Sequence, residues 1–252
     1  MSNSIMCHMV AGFPTEGACL ELVTGLLKLP ITALEIQIPF SDPIADGEAI
    51  MEANDVALRN GMTILASFAL IKKIRKTGFT ADIFIMSYAQ KIQHYGFDLF
   101  CAEAAKSNVK GFIVPDLPFD SEDFQNLKMS ASDHKIELVP VLSPGMSKER
   151  LDRVLSNVPS SVYLTSRKGI TGNEYAVSED LKLIAKKIKS IPDIRLMIGF
   201  GITSSQNVND ALTLGDIAIV GSAIVRSLQS NGVLSTISYI ESLIDDKMKV
   251  SA

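Results

Sequence analysis

Short apolar runs recur along this chain near residues 5–10, 31–38, 82–87, 111–114, 136–142, 161–165, 194–198 and 216–220, each followed by a turn and then a segment with helical spacing. In one such segment Cys19, Leu22, Val23, Leu26 and Leu27 fall on one stripe; in the last, Val233, Ile237, Ile240 and Ile244 do the same. Apolar residues at i, i+3 and i+4 mark a helix that packs one face on a sheet. The punctuation agrees with these limits. Asn60-Gly61 suits a left-handed helix stop, and Thr63 can cap the helix after it; Ser147 and Ser178 precede charged periodic segments, and Gly215 closes the helix before the last run. Eight strand-and-helix units in about 250 residues are the count of a (β/α)8 TIM barrel, an α/β fold, here taken as one domain over residues 1–252. An open, doubly wound sheet has the same alternation, and strand number alone does not separate the two.

Composition narrows the class of function. Of 252 residues, 47% are apolar and 21% charged, as in an ordinary soluble globular protein. A net charge of -4 argues against a nucleic-acid surface or a polybasic membrane anchor. No apolar run approaches the roughly 18 residues of a membrane span, and the N-terminus lacks the basic region and cleavage pattern of a secretory signal. Cys7, Cys19 and Cys101 are widely spaced and odd in number, which reads as small buried hydrophobes in a reducing cytoplasm.

The stretch from Ala33 to Gly47 carries the most chemistry. Glu35 sits inside the second apolar run, and a buried carboxylate costs several kcal/mol unless something satisfies or uses it. Gln37, two positions on, faces the same way as Glu35 in a strand. The run ends in a proline-punctuated loop holding Asp42, which reads as a turn residue, and Asp46. Glu35 and Asp46 suggest an acid–base pair split by environment: Glu35 raised in pKa by desolvation, Asp46 ionised in a polar loop. The bland alternatives are a Glu paired with Arg or Lys, and an Asp serving as a turn or cap.

The seventh and eighth runs end in small residues, Gly199 and Gly201 in one and Gly221 and Ser222 in the other. Glycine lets backbone approach a ligand, a following helix start offers N–H groups to an anion, and barrels often bind phosphate at these two loops. After the sixth run, Ser166-Arg-Lys-Gly-Ile-Thr-Gly-Asn-Glu-Tyr suits either a mobile polar lid, with Arg167, Thr171 and Gly172, or an ordinary surface loop. His94 and His134 read as surface residues, while His8 lies in the first run and can face the cavity. No pair of histidines has ligand spacing, so no metal is expected.

With those residues in hand, the stretch Leu34-Glu-Ile-Gln-Ile-Pro-Phe-Ser-Asp-Pro-Ile-Ala-Asp-Gly closely resembles the signature of the tryptophan synthase alpha subunit family. Val114-Pro-Asp-Leu-Pro, Tyr163-Leu-Thr-Ser-Arg-Lys-Gly-Ile-Thr-Gly, Gly199-Phe-Gly and Gly221-Ser-Ala resemble the same family in the same order, so the resemblance covers nearly the whole chain. It implies a (β/α)8 barrel that cleaves indole-3-glycerol phosphate to indole and glyceraldehyde 3-phosphate. Glu35 would protonate the indole ring carbon, and Asp46 would hold the indole N–H. Thr171 would close onto Asp46. Gly199, Gly201, Gly221 and Ser222 would form the phosphate site, with Gly172 reaching over it. Tyr88, Tyr163 and Phe200 would contribute to the ring pocket or its wall, together with His8 and Gln37. The implied partner is the beta subunit, in an alpha2beta2 heterotetramer, which carries pyridoxal phosphate; this chain would need no cofactor.

The chain also departs from that family. Gln37 stands where glycine is usual, His8 where an aromatic residue is common, Val10 for Thr, and Glu48 for a proline, which would loosen the loop carrying Asp46. The first apolar run starts almost at once, which implies a shortened N-terminus without the family's leading helix. Several of these changes converge on the ring half of the pocket, where Gln37 would overpack it. Two functions are therefore expected as rivals: an active lyase, or a weak or inactive subunit that activates the beta subunit. Another phosphate-binding barrel, an epimerase or isomerase, is a distant third.

Overall fold

A computed structural model of the chain describes residues 4–156, 160–165, 177–199 and 201–244. The apolar runs form parallel strands: β1 (Ser4–Val10), β2 (Ile31–Gln37), β3 (Asp82–Met86), β4 (Gly111–Ile113), β5 (Glu137–Val139), β6 (Val141–Leu142), β7 (Ser161–Thr165), β8 (Arg195–Gly199) and β9 (Ile217–Val220). Between and after them run α1 (Glu16–Leu26), α2 (Glu48–Arg59), α3 (Ile64–Lys76), α4 (Ala89–Tyr95), α5 (Phe97–Lys106), α6 (Glu122–Asp133), α7 (Lys148–Ser156), α8 (Glu179–Lys189), α9 (Ser205–Leu214) and α10 (Ser222–Leu243).

The strands are ordered β5-β4-β3-β2-β1-β9-β8-β7-β6. The two end strands are consecutive in the chain and separated only by Pro140. They are one stave of the barrel, interrupted at a residue with no N–H to give the ladder; its carbonyl still accepts from Tyr163 N at 3.0 Å. Nine segments therefore make eight staves, and the ring closes through β1 and β9, paired from Ser4↔Ile217 to Cys7↔Val220. A doubly wound sheet reverses its strand order at a switch point and is excluded.

Alternation along the strands sorts the core into two sets. Met6, Ala33, Phe84, Met86, Ile113, Val139, Met197 and Ile219 belong to an inner cluster, whereas Leu34, Ile36, Ile83, Ile85, Phe112, Val162 and Leu164 belong to an outer one packed with the helices. The side-chain period of two thus fills the barrel and clads it at once. The caps fall where the sequence put them: Thr63, Ser178 and Ser147 hydroxyls accept from the N–H groups of Ala66, Leu181 and Arg150 at 3.1, 3.1 and 3.2 Å. Gly61 takes φ +81° after α2, and α10 breaks at Gly232, where φ is +74°. Glu48 is the exposed first residue of α2, behind the N-cap Gly47. It sits in the turn where negative charge complements the helix dipole, so it begins an element rather than loosening a loop.

One device on the barrel floor had no sequence signal. Arg195, opening β8, bridges to Asp82 at 3.0 Å on β3 and to Glu137 at 3.6 Å on β5, with its Nε donating to Ser161 at 3.2 Å on β7. All four residues begin or adjoin the start of their strands, so the guanidinium ties four staves at the end opposite the strand termini.

Candidate active site

Parallel pairing sets His8 of β1 directly beside Glu35 of β2, so both side chains leave the sheet on the same face. His8 Nδ1 lies 2.7 Å from Glu35 Oε2, and both residues are 4% exposed. The partner of the strand carboxylate is thus a histidine, not the Arg or Lys of the structural alternative. Burial works against a charged His8 ring, but the charge and hydrogen bond of Glu35 and the charge of Asp46 outweigh it, and its pKa is raised.

Asp46 lies in the loop after β2, where its N–H donates to Pro43 O at 3.0 Å. The expectation of a solvated aspartate needs correction, because Asp46 is only 3% exposed. Burial raises its pKa; hydrogen bonds from Gln37, Tyr88 and Asn54 and the charge of His8 pull the other way without cancelling it. Gln37 Nε2 donates to Asp46 Oδ2 at 2.6 Å, and Asn54 Nδ2 donates to the same oxygen at 3.2 Å. Asn54 Oδ1 accepts in turn from Gln37 Nε2 at 3.3 Å and from Phe40 N at 3.2 Å. The expected intrusion of Gln37 into the ring pocket is therefore also corrected: the side chain is fully buried, turned onto Asp46 and Asn54, and stands behind the cavity wall. Asn54 was missed by the sequence reading; its signal was an Asn inside a helix, where that residue is a poor former unless its amide is used.

A cavity of about 590 Å³, open to solvent, is lined by His8, Glu35, Asp46, Tyr163, Gly201, Gly221 and Ser222, with Met86, Ile113, Val141, Ile202 and Ile219 among its apolar wall. That balance suits a small ligand with an apolar body and a few polar groups. Gly221 is the N-cap of α10 and Ser222 its first residue, so the unpaired N–H groups of a helix start face this end of the site. Gly201 adopts φ +78°, in the left-handed region. Gly199 is not a lining residue: a Cβ there would collide with the ring and hydroxyl of Tyr163, so the glycine makes room for that ring. Tyr88 also stands outside the lining. Its ring stacks on Phe40 at 5.2 Å, and its hydroxyl accepts from Ala45 N at 3.2 Å, supporting the Asp46 loop from behind.

Arg167, Thr171, Gly172 and Phe200 lie outside the described residues. Asp42 is exposed and accepts from Ser41 Oγ at 2.6 Å, a turn residue as read. His94 is exposed, and His134 meets Asp98 at 3.1 Å away from the cavity. All three cysteines are free and buried, and burial pushes their thiols up to about 12. Among the described residues no His, Cys, Asp or Glu group could hold a metal ion.

Comparison with known proteins adds a family. The model for the tryptophan synthase alpha chain matches residues 1–249. A tryptophan synthase alpha chain of Chloroflexus aggregans is 31% identical over 98% of this chain and 93% of its own length. The tryptophan synthase of Saccharomyces cerevisiae is 34% identical over 88% of this chain, which spans only 31% of that longer protein. Among solved structures, the tryptophan synthase subunit alpha from Campylobacter jejuni superposes with a TM-score of 0.85 at 29% identity, covering 96% of each chain.

Proposed function

The chain belongs to the tryptophan synthase alpha chain family, and we infer that it is a carbon–carbon lyase that cleaves indole-3-glycerol phosphate to indole and glyceraldehyde 3-phosphate. One observation supports this most directly: two buried carboxylates, Glu35 and Asp46, share a single cavity with the start of α10. In this reading Gly201, Gly221 and Ser222 hold the phosphate at the helix N-terminus. The ring lies against the apolar wall, with its N–H donated to Asp46. Glu35 delivers a proton to the ring carbon that bears the glycerol chain. The carbon–carbon bond then breaks as the adjacent hydroxyl loses its proton and becomes the aldehyde. Among the departures that point to an inactive subunit, overpacking by Gln37 falls away, because that side chain is turned onto Asp46.

The reaction so written uses side-chain acids and bases alone. The partner is a beta subunit that carries pyridoxal phosphate, in an alpha2beta2 assembly working in the cytoplasm. Ile44, 74% exposed, lies on the loop that carries Asp46 and Met51 on the helix after it, and both are apolar residues suited to docking that partner. Among the described residues no helix is long and apolar enough to cross a membrane. The test is indole release from indole-3-glycerol phosphate by the complex without serine, so that indole accumulates. Glu35→Gln should lower release by about 100-fold or more, the usual scale for losing a general acid. Undiminished release from this variant would overturn the assignment.

A further inference from the structure

We propose that His8 is a positioning residue of the lyase site: through Nδ1 it fixes the Glu35 carboxyl, and with Glu35 it shares the proton that Glu35 delivers to the substrate ring. This rests on the lyase reading above and adds to it a residue that the reaction as written does not use. Three observations carry it. His8 and Glu35 are register partners on adjacent parallel strands, joined at 2.7 Å. Both are almost fully buried, yet both line the cavity. His8 Nε2 is buried with no hydrogen-bond partner among the described residues, so Glu35 is the ring's one polar anchor there.

A buried imidazole normally has both nitrogens satisfied, and its tautomer follows from the bond the other nitrogen makes. Among the described residues only Nδ1 is engaged, and the carboxyl it serves orients the ring. The groups facing it are Glu35 from β2, Asp46 from the loop before α2, and the packed backbone at Gly221; the Tyr163 hydroxyl feels both carboxylates from β7. Two carboxylates beside one imidazole favour the imidazolium, which makes the pair a store of one proton.

The proton count closes. His8 passes its Nδ1 proton to Glu35, and Glu35 places it on the ring carbon. The bond from that carbon to the side chain breaks, its electron pair returning to the ring. The side-chain hydroxyl becomes a carbonyl, and its proton goes to Glu35 and back to Nδ1. Nothing is oxidised or reduced, and the pair ends with the proton it began with.

Two variants of the full complex test this. His8→Phe keeps a ring but loses the donor, and should lower kcat about 10–100-fold, the scale seen for outer partners of catalytic groups, with KM little changed. The alkaline limb of its pH profile should leave the wild-type position, because the imidazole that shares the proton is gone. His8→Asn can still donate to Glu35 and should restore part of kcat but not the alkaline limb. Release by the wild-type complex with an unchanged kcat and pH limb in His8→Phe would overturn this proposal alone. No release by the wild-type complex would overturn the lyase reading and this proposal together. Should His8→Phe fail to fold, NMR titration of the three histidine rings decides the pairing. The His8 midpoint should lie above that of a free histidine and fall in Glu35→Gln, and a midpoint that Glu35→Gln leaves in place would overturn the shared proton.

Discussion

Gln37 donates to Asp46 and to Asn54, while its own Oε1 lies buried without a partner among the described residues. It therefore costs some stability while holding the carboxylate in place. Substituting Gln37→Gly should not open the ring pocket, because the side chain does not occupy it. The variant should instead lower indole release by about tenfold, as an outer-shell support is removed, and should lower the melting temperature; faster release would show that Gln37 does obstruct the substrate. Asp46 makes a second case. Its folded pKa lies above the unfolded value, so its contribution to stability is fully present below about pH 3.8 and is lost as pH rises through the raised pKa. At neutral pH the buried charge is a cost. Asp46→Asn should accordingly raise the melting temperature by about 2–4 °C, flatten its decline from acid to neutral pH, and abolish most release. An unchanged melting profile would contradict the buried-charge argument. Glu35 was legible as a charge in an apolar run. The state of Asp46 was not, because a proline-rich loop looks solvated until Gln37 and Asn54 are known to close over it.

At the scale of elements, periodicity predicted the eight staves, and the Thr63, Ser147 and Ser178 caps marked helix starts because capping is a local interaction. Two features escaped. The break of the fifth stave at Pro140 is a single missing N–H inside a run that reads as continuous. The Arg195 tie joins residues on β3, β5, β7 and β8 whose proximity exists only once the barrel closes. The Glu137 side chain is well buried there, neither of its oxygens has a hydrogen-bond partner among the described residues, and the Arg195 guanidinium faces it as an ion pair. Removing the guanidinium leaves that carboxylate uncompensated, which is the costly way to break such a pair. Arg195→Met should therefore lose about 2 kcal/mol of unfolding free energy, less than a fully buried pair because Asp82 is partly exposed. Indole release should hold near wild type, since the tie lies at the end opposite the cavity. Urea denaturation with parallel activity assays checks both halves, and an unaltered midpoint would show the tie to be ornamental.

For the whole molecule, the site is split between the two ends of the sequence. His8, Glu35 and Asp46 come from the first fifth of the chain, and Gly201, Gly221 and Ser222 from its last quarter. They meet because β1 pairs with β9 as well as with β2. During synthesis β1 emerges before β9, and one of its edges waits for a partner until β9 has been made. An unpaired edge of that kind invites wrong pairings, and long-range parallel contacts form slowly. The arrangement makes the ligand a witness to completion. A molecule that bridges the acid–base half and the anion-binding half can be gripped only once β9 has found β1. Capture of such a molecule is therefore also a report that the barrel has closed.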